Sequence, residues 1–194
     1  DWLKKTIYEQ AVDVLLVSGD IFDTSNPPIE AQNAYYDFLV DITKGDSPCK
    51  KIIITGGNHD SPGVLNAPAQ FLKRFKVEVI GKATEDIEKE VLSFEVNGQK
   101  LVVAAVPYLR DKDIRRHTLS ERFEDIGGRY KQALIRHYEA VAEVCEKHKT
   151  PNTPIIAMGH LFAVGGKTTD SEQTIYVGNL GDIGAEDFPE VFDY

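Results

Sequence analysis

Hydrophobic positions along the chain fall into short apolar runs, divided by segments in which apolar residues recur every three or four positions. Residues 12–17 and 51–55 are near-continuous apolar runs of the kind found in strands buried on both faces. Each ends in a polar group that begins with glycine, Gly19-Asp20 in the first case and Gly56-Gly57-Asn58-His59 in the second. Between them, Ala31, Ala34, Tyr35, Phe38 and Leu39 have helical spacing, so residues 29–41 complete a strand-helix-strand unit. A further helix is predicted over 64–75 and a strand over 77–80. Runs at 91–96 and 100–106 flank Asn97-Gly98, a strong hairpin signal because both turn residues tolerate positive φ. Tyr130, Leu134, Tyr138, Val141, Cys145 and His148 form one apolar stripe, which predicts a long amphipathic helix over 129–148, ended by Pro151 and Pro154. A last strand over 154–158 precedes Gly159-His160, and 174–177 is a candidate edge strand. With no repeat or linker, the pattern predicts one α/β domain over 1–194 that mixes parallel and antiparallel strands.

Composition narrows the class. Twenty-two Lys and Arg against 31 Asp and Glu give a net charge of −9, which excludes a small basic nucleic-acid clamp. Residues 110–136 carry eight basic and five acidic residues, a local surplus that could guide a polyanion or serve as a solvated helix face. Seven acidic and no basic residues over 168–194 read as a solvated surface. No apolar run approaches the roughly 20 residues of a membrane span, so no membrane association is expected. Cys49 and Cys145 form no CxxC pair, which fits a reducing cytoplasm, and Cys145 falls within the helical stripe as a core residue. Trp2, Leu3 and Ile7 suit the latter part of a helix, so the chain is expected to begin inside an element.

Three apolar strands end by releasing polar groups: Asp20 with Asp23, then Asn58-His59-Asp60, then His160. Loops at the carboxyl ends of α/β strands converge on a shared crevice, so these clusters are expected to meet. A carboxylate, an amide oxygen and an imidazole form a mixed set compatible with Mn, Fe, Zn or Mg. Other candidates are weaker. Gly165-Gly166-Lys167-Thr168 lacks the earlier glycine of a phosphate-binding loop, since Leu161 stands in its place. His117, His137 and His148 have no partner at metal-ligand spacing and are read as surface or packing residues. Arg110, Arg115 and Arg116 are open between contacts to DNA phosphates and pairing with Asp111 and Asp113.

Gly19-Asp20-Ile21-Phe22-Asp23, Gly57-Asn58-His59-Asp60 and Gly159-His160 together resemble three of the five motifs of the calcineurin-like metallophosphoesterases. The flanking stretches 106–114, 159–166, 175–180 and 188–194 are similar to the SbcD-type nuclease subunits within that superfamily, and the similarity runs nearly end to end. The resemblance implies a mixed-sheet α/β/β/α sandwich, incomplete at both ends, that forms part of a metallophosphoesterase (nuclease) domain. It implies two divalent metal ions, Mn²⁺ first, with Mg²⁺, Fe²⁺ and Zn²⁺ as alternatives. Asp20 would bridge the ions, Asn58 and His160 would each bind one, and His59 would face the scissile phosphate with Asp23 orienting its ring. The implied reaction is two-metal hydrolysis of DNA phosphodiesters in double-strand-break or hairpin processing. The implied partners are DNA, an SbcC-like SMC-type ATPase and a second copy of the full-length protein, paired through helices 29–41 and 64–75. The family's early Asp-x-His and final Gly-His-x-His would fall before Asp1 and after Tyr194, so this chain alone is expected to bind metal poorly and to cleave little. The alternatives are a small-molecule phosphatase or phosphodiesterase of the same superfamily, and a non-catalytic scaffold for the ATPase.

Overall fold

The computed structural model describes residues 1–114, 126–161 and 183–194. Helix α1 (Trp2–Glu9) leads to strand β1 (Val14–Ser18), and α2 (Ile29–Thr43) leads to β2 (Lys51–Thr55). Helices α3 (Pro62–Asn66) and α4 (Ala69–Leu72) precede β3 (Val77–Ile80). The hairpin β4 (Val91–Val96) and β5 (Gln99–Ala105) follows, then α5 (Asp111–Ile114), α6 (Ile126–Glu146) and β6 (Ile155–Met158).

These strands form two three-stranded sheets. The first, β1-β2-β3, is entirely parallel, and the second, β4-β5-β6, is mixed because β6 runs parallel to β5 beside the antiparallel hairpin. Alternation along β2 shows how the layers arise. Ile52 and Ile54 face outward and pack with Ile7 of α1 and with Leu39 and Ile42 of α2. Ile53, one step out of phase, packs with Ile80 against Val103, Ala105 and Met158 of the other sheet. On the far side, Val102 and Ala104 lie under Leu134, Tyr138, Val141 and Cys145 of α6. The order is therefore helix, sheet, sheet, helix, with three apolar layers between.

Local differences from the sequence reading have physical causes. The expected helix over 64–75 is divided into α3, α4 and a 3₁₀ turn over Lys73–Phe75, because Pro68 cannot donate the backbone bond needed to join them. The hairpin turns where expected, with Asn97 at φ 51° and Gly98 at φ 79°. Strand β1 is half-buried rather than fully buried, since among the described residues it pairs on one side only, with β2. The edge strand expected at 174–177 and the Gly165 to Thr168 segment lie outside the described residues.

The end of the chain covers the free side of β6: Ala157 N–H donates to the Tyr194 carbonyl at 2.7 Å, and Asp193 N–H donates to Ile155 at 2.8 Å. Among the described residues no helix is long and apolar enough to cross a membrane.

Candidate active site

The loops after β1, β2 and β6 meet at one end of the sandwich, on the seam between the two sheets. Gly19 N–H donates to the Thr55 carbonyl at 3.2 Å, which ties the first loop to β2. Gly19 has φ 81° and Asp20 has φ 47°, so the chain makes two consecutive left-handed steps as it leaves β1. Asp tolerates that region better than most residues, and held strain of this kind gathers at functional sites. The turn also makes room. A Cβ on Gly19 would lie 2.2 Å from His160 Nδ1, and one on Gly57 would lie 2.1 Å from Asp20 Oδ1.

Asp20, Asn58 and His160 converge although 140 residues separate the first from the last. His160 Nδ1 lies 3.1 Å from the Ser18 carbonyl, which can only accept, so Nδ1 carries the proton. In the neutral ring Nε2 then presents a lone pair. It faces Asn58 Oδ1 at 2.7 Å and Asp20 Oδ2 at 3.4 Å, both acceptors. The two oxygens thus lie within 3.4 Å of the ring nitrogen, and one nitrogen with two oxygens is a donor set that suits a borderline or hard divalent metal. The residues present therefore fit a metal ion. Among the described residues no group of three His, Cys, Asp or Glu could hold one, so this set depends on the Asn58 amide.

His59 stands beside these groups with a different attachment. Its backbone N–H donates to Asp20 Oδ1 at 3.1 Å, which leaves Oδ2 as the oxygen turned to His160. Its ring Nδ1 lies 2.9 Å from the Asp23 carbonyl oxygen, and the Asp23 carboxylate is farther, at 3.8 Å. The hydrogen bond that fixes the ring thus comes from the main chain of Asp23, whose side chain is 90% exposed. Nδ1 is again the protonated nitrogen, and Nε2 is the one available for chemistry.

Asp60, to which no sequence pattern assigns a role, follows His59 in this loop. It is buried and accepts three backbone N–H bonds, from Gly57 at 2.8 Å, Ile21 at 3.1 Å and Phe22 at 3.0 Å. Phe22 packs edge-on against Tyr35, whose buried phenol is held above its usual pKa by desolvation, with smaller effects from Tyr36 and Asp60. Arg110 Nη2 donates to the Asp60 carbonyl at 2.8 Å and approaches the Gly57 carbonyl at 3.4 Å. The guanidinium is thus committed to the backbone of the Asn58 loop, where the sequence left open a DNA phosphate or a surface acid. Tyr108 lies between Arg110 and His160, 5.8 Å and 6.0 Å from them, and its N–H donates to Gly56 at 2.7 Å. Only the glycine-rich context hinted at this docking.

The remaining candidates lie elsewhere. His137 belongs to the packing class expected of it, with Nε2 2.7 Å from Oε2 of the buried Glu90. Cys145 is buried and its thiol is pushed up to about 11 by desolvation. Arg115, Arg116 and His117 lie outside the described residues.

A model of the calcineurin-like phosphoesterase family matches residues 1–183. Among curated proteins, the chain is similar to the SbcD subunit of the nuclease SbcCD from Escherichia coli strain K12, 30% identical over 190 residues, which is 97% of this chain and 46% of that protein. The SbcD subunit of Bacillus subtilis strain 168 is 30% identical over 194 residues, with the same two coverages. That of Rhodobacter capsulatus is 30% identical over 197 residues, 96% of this chain and 47% of the relative. The chain therefore spans about half the length of the curated relatives it matches.

Proposed function

Because the chain belongs to the calcineurin-like phosphoesterases, we propose that it forms part of a metal-dependent nuclease domain that hydrolyses DNA phosphodiesters. The observation that carries this reading is the convergence of Asp20, Asn58 and His160 lone pairs beside an oriented His59. When bound, two divalent ions would supply Lewis acidity and an activated water, with Mn²⁺ as the first candidate. Asp20 Oδ2, Asn58 Oδ1 and His160 Nε2 are the atoms that would hold them. As the imidazolium, His59 would give its Nε2 proton to the departing oxygen and become the neutral ring, while the Asp23 carbonyl keeps the proton on Nδ1 and so fixes which nitrogen faces the phosphate. Asp23 assists through its main chain, and its exposed carboxylate remains within reach of the ring.

The similarity to the SbcD subunit of SbcCD supports DNA as substrate, an SbcC-like SMC-type ATPase as partner, a role in break or hairpin processing, and a cytoplasmic location. Pairing of two full-length copies is part of the same proposal. Phe71 and Phe75, exposed at 63% and 44%, leave apolar surface beside α4 for such a contact. The 194-residue chain by itself is proposed to bind metal weakly and to turn over little.

The test compares Mn²⁺-dependent cleavage of a labelled DNA hairpin with turnover of a generic phosphodiester ester, in the full-length protein and in the 194-residue chain. Cleavage of the hairpin by the full-length protein, strongly preferred over the small ester, supports the reading. Preference for the small ester favours a small-molecule phosphodiesterase, and robust cleavage by the 194-residue chain contradicts the proposed weakness of the short form.

A further inference from the structure

We propose that Asp60 is a positioning residue that holds the loop bearing Asp20 in register with the loop bearing Asn58 and His59. The inference rests on the metal-dependent reading above and adds a residue to its machinery. A carboxylate that is 1% exposed is costly to bury unless its oxygens are satisfied. Here both are. The N–H groups that satisfy them belong to the immediate neighbours of the residues that face the metal position: Ile21 follows Asp20, Gly57 precedes Asn58, and Asp60 itself follows His59. Phe22 N–H adds a second bond from the Asp20 loop. One side chain therefore fixes the flanks of two loops that lie about 39 residues apart in sequence.

The carbonyl side of the same loop is held from the second sheet. Arg110 donates to the Asp60 and Gly57 carbonyls and Tyr108 donates to Gly56, all from the segment that leaves β5. His160 arrives from β6, the strand next to β5. Asp60 joins Asp20 to Asn58 within the first sheet's loops, and Arg110 joins that pair to the sheet that delivers His160. None of these groups is one of the three side chains that converge at the proposed metal position. Their effect is on the spacing between Asp20 Oδ2, Asn58 Oδ1 and His160 Nε2, a spacing on which metal affinity depends.

Asp60→Asn tests this. The amide keeps one acceptor oxygen and sets an NH₂ against a backbone N–H, so either the Phe22 bond or the Ile21 and Gly57 pair is lost. In the full-length protein, with folding checked by circular dichroism, Mn²⁺ affinity is read from the free Mn²⁺ signal in electron paramagnetic resonance, and kcat and KM are read on the DNA hairpin. The expected result is a loss of about 10–100-fold in Mn²⁺ affinity, a matching fall in kcat at fixed metal, an unchanged KM, and partial recovery of kcat at high Mn²⁺.

A folded Asp60→Asn protein with wild-type Mn²⁺ affinity and kcat overturns the proposal. Lowered thermal stability with unchanged Mn²⁺ affinity overturns it too, because that describes a purely structural acid. If the substitution prevents folding, Arg110→Met carries the test, since it keeps the apolar stem and removes the Nη2 donor that reaches both carbonyls. The same signature at smaller amplitude supports the proposal, and wild-type metal affinity refutes it. A wild-type protein that neither binds Mn²⁺ nor cleaves would instead refute the metal-dependent reading on which this one stands.

Discussion

Substituting Gly57 by alanine adds one methyl group at the closest approach of the two loops that build the site. The new Cβ would lie 2.2 Å from the Asp20 backbone nitrogen and 2.1 Å from its Oδ1, where ordinary contact begins at 3.4 Å. The carboxylate can rotate only by giving up the His59 N–H, and the backbone nitrogen cannot rotate at all. The Asp20 loop must therefore retreat by more than about 1 Å. Overpacking of this kind costs about 1–3 kcal/mol, which at this chain length lowers Tm by about 2–12 °C. The functional effect is larger, because about 1 Å of displacement at a reacting centre costs on the order of 100-fold in rate. Thermal unfolding of the 194-residue chain and Mn²⁺-dependent hairpin cleavage by the full-length protein measure the two effects. Gly45→Ala is the control, since a Cβ there meets nothing within 4 Å and is expected to change neither. A Gly57→Ala protein that keeps wild-type turnover would refute the claim that the approach of these loops sets the site.

Two further predictions concern stability away from the site. Among the described residues, His137→Ala leaves the fully buried Glu90 carboxylate with only the Thr84 N–H at 3.1 Å, so a loss of about 3–5 kcal/mol is expected by denaturant titration. A loss below about 1 kcal/mol would contradict the pairing. Asp41 of α2 is held down at about 2, first by its hydrogen bond to Lys4 of α1 and then by that to Lys44. A depressed folded-state pKa stabilises above the unfolded value, and the effect fades as pH falls from about 3.8 through about 2. Wild type should therefore melt above Asp41→Asn at pH 6, with most of the gap gone near pH 2. A gap as large at pH 2 as at pH 6 would refute the linkage.

Most of the strand framework was legible because each strand is a short apolar run with a marked end. Val77 to Ile80 and Val91 to Val96 occupy the positions that the pattern predicts. The division into two sheets was not visible in periodicity, because Ile52, Ile53 and Ile54 are all apolar and only their alternating neighbours distinguish the faces. Pro68 lies inside the single helix expected over 64–75, and it is where the structure divides that segment.

At the candidate site, glycine-led strand ends pointed to Asp20, Asn58 and His160 as a set, because loops at the carboxyl ends of α/β strands converge on one crevice, although each alone is ordinary loop chemistry. The roles of the Asp23 main chain, Asp60 and Arg110 were hidden for a common reason. Each acts through hydrogen bonds to backbone groups of loops distant in sequence, and such bonds leave no residue pattern.

Asp20, Asn58 and His160 are proposed to hold metal while His59 does separate work on the phosphate. The most direct measurement is Mn²⁺ binding and hairpin cleavage in the same samples of full-length wild type and His59→Ala. The account predicts that His59→Ala retains Mn²⁺ affinity and loses cleavage by about 10²–10⁴-fold, the usual contribution of a positioned acid. Wild-type cleavage by His59→Ala, or loss of metal in step with activity, would contradict it.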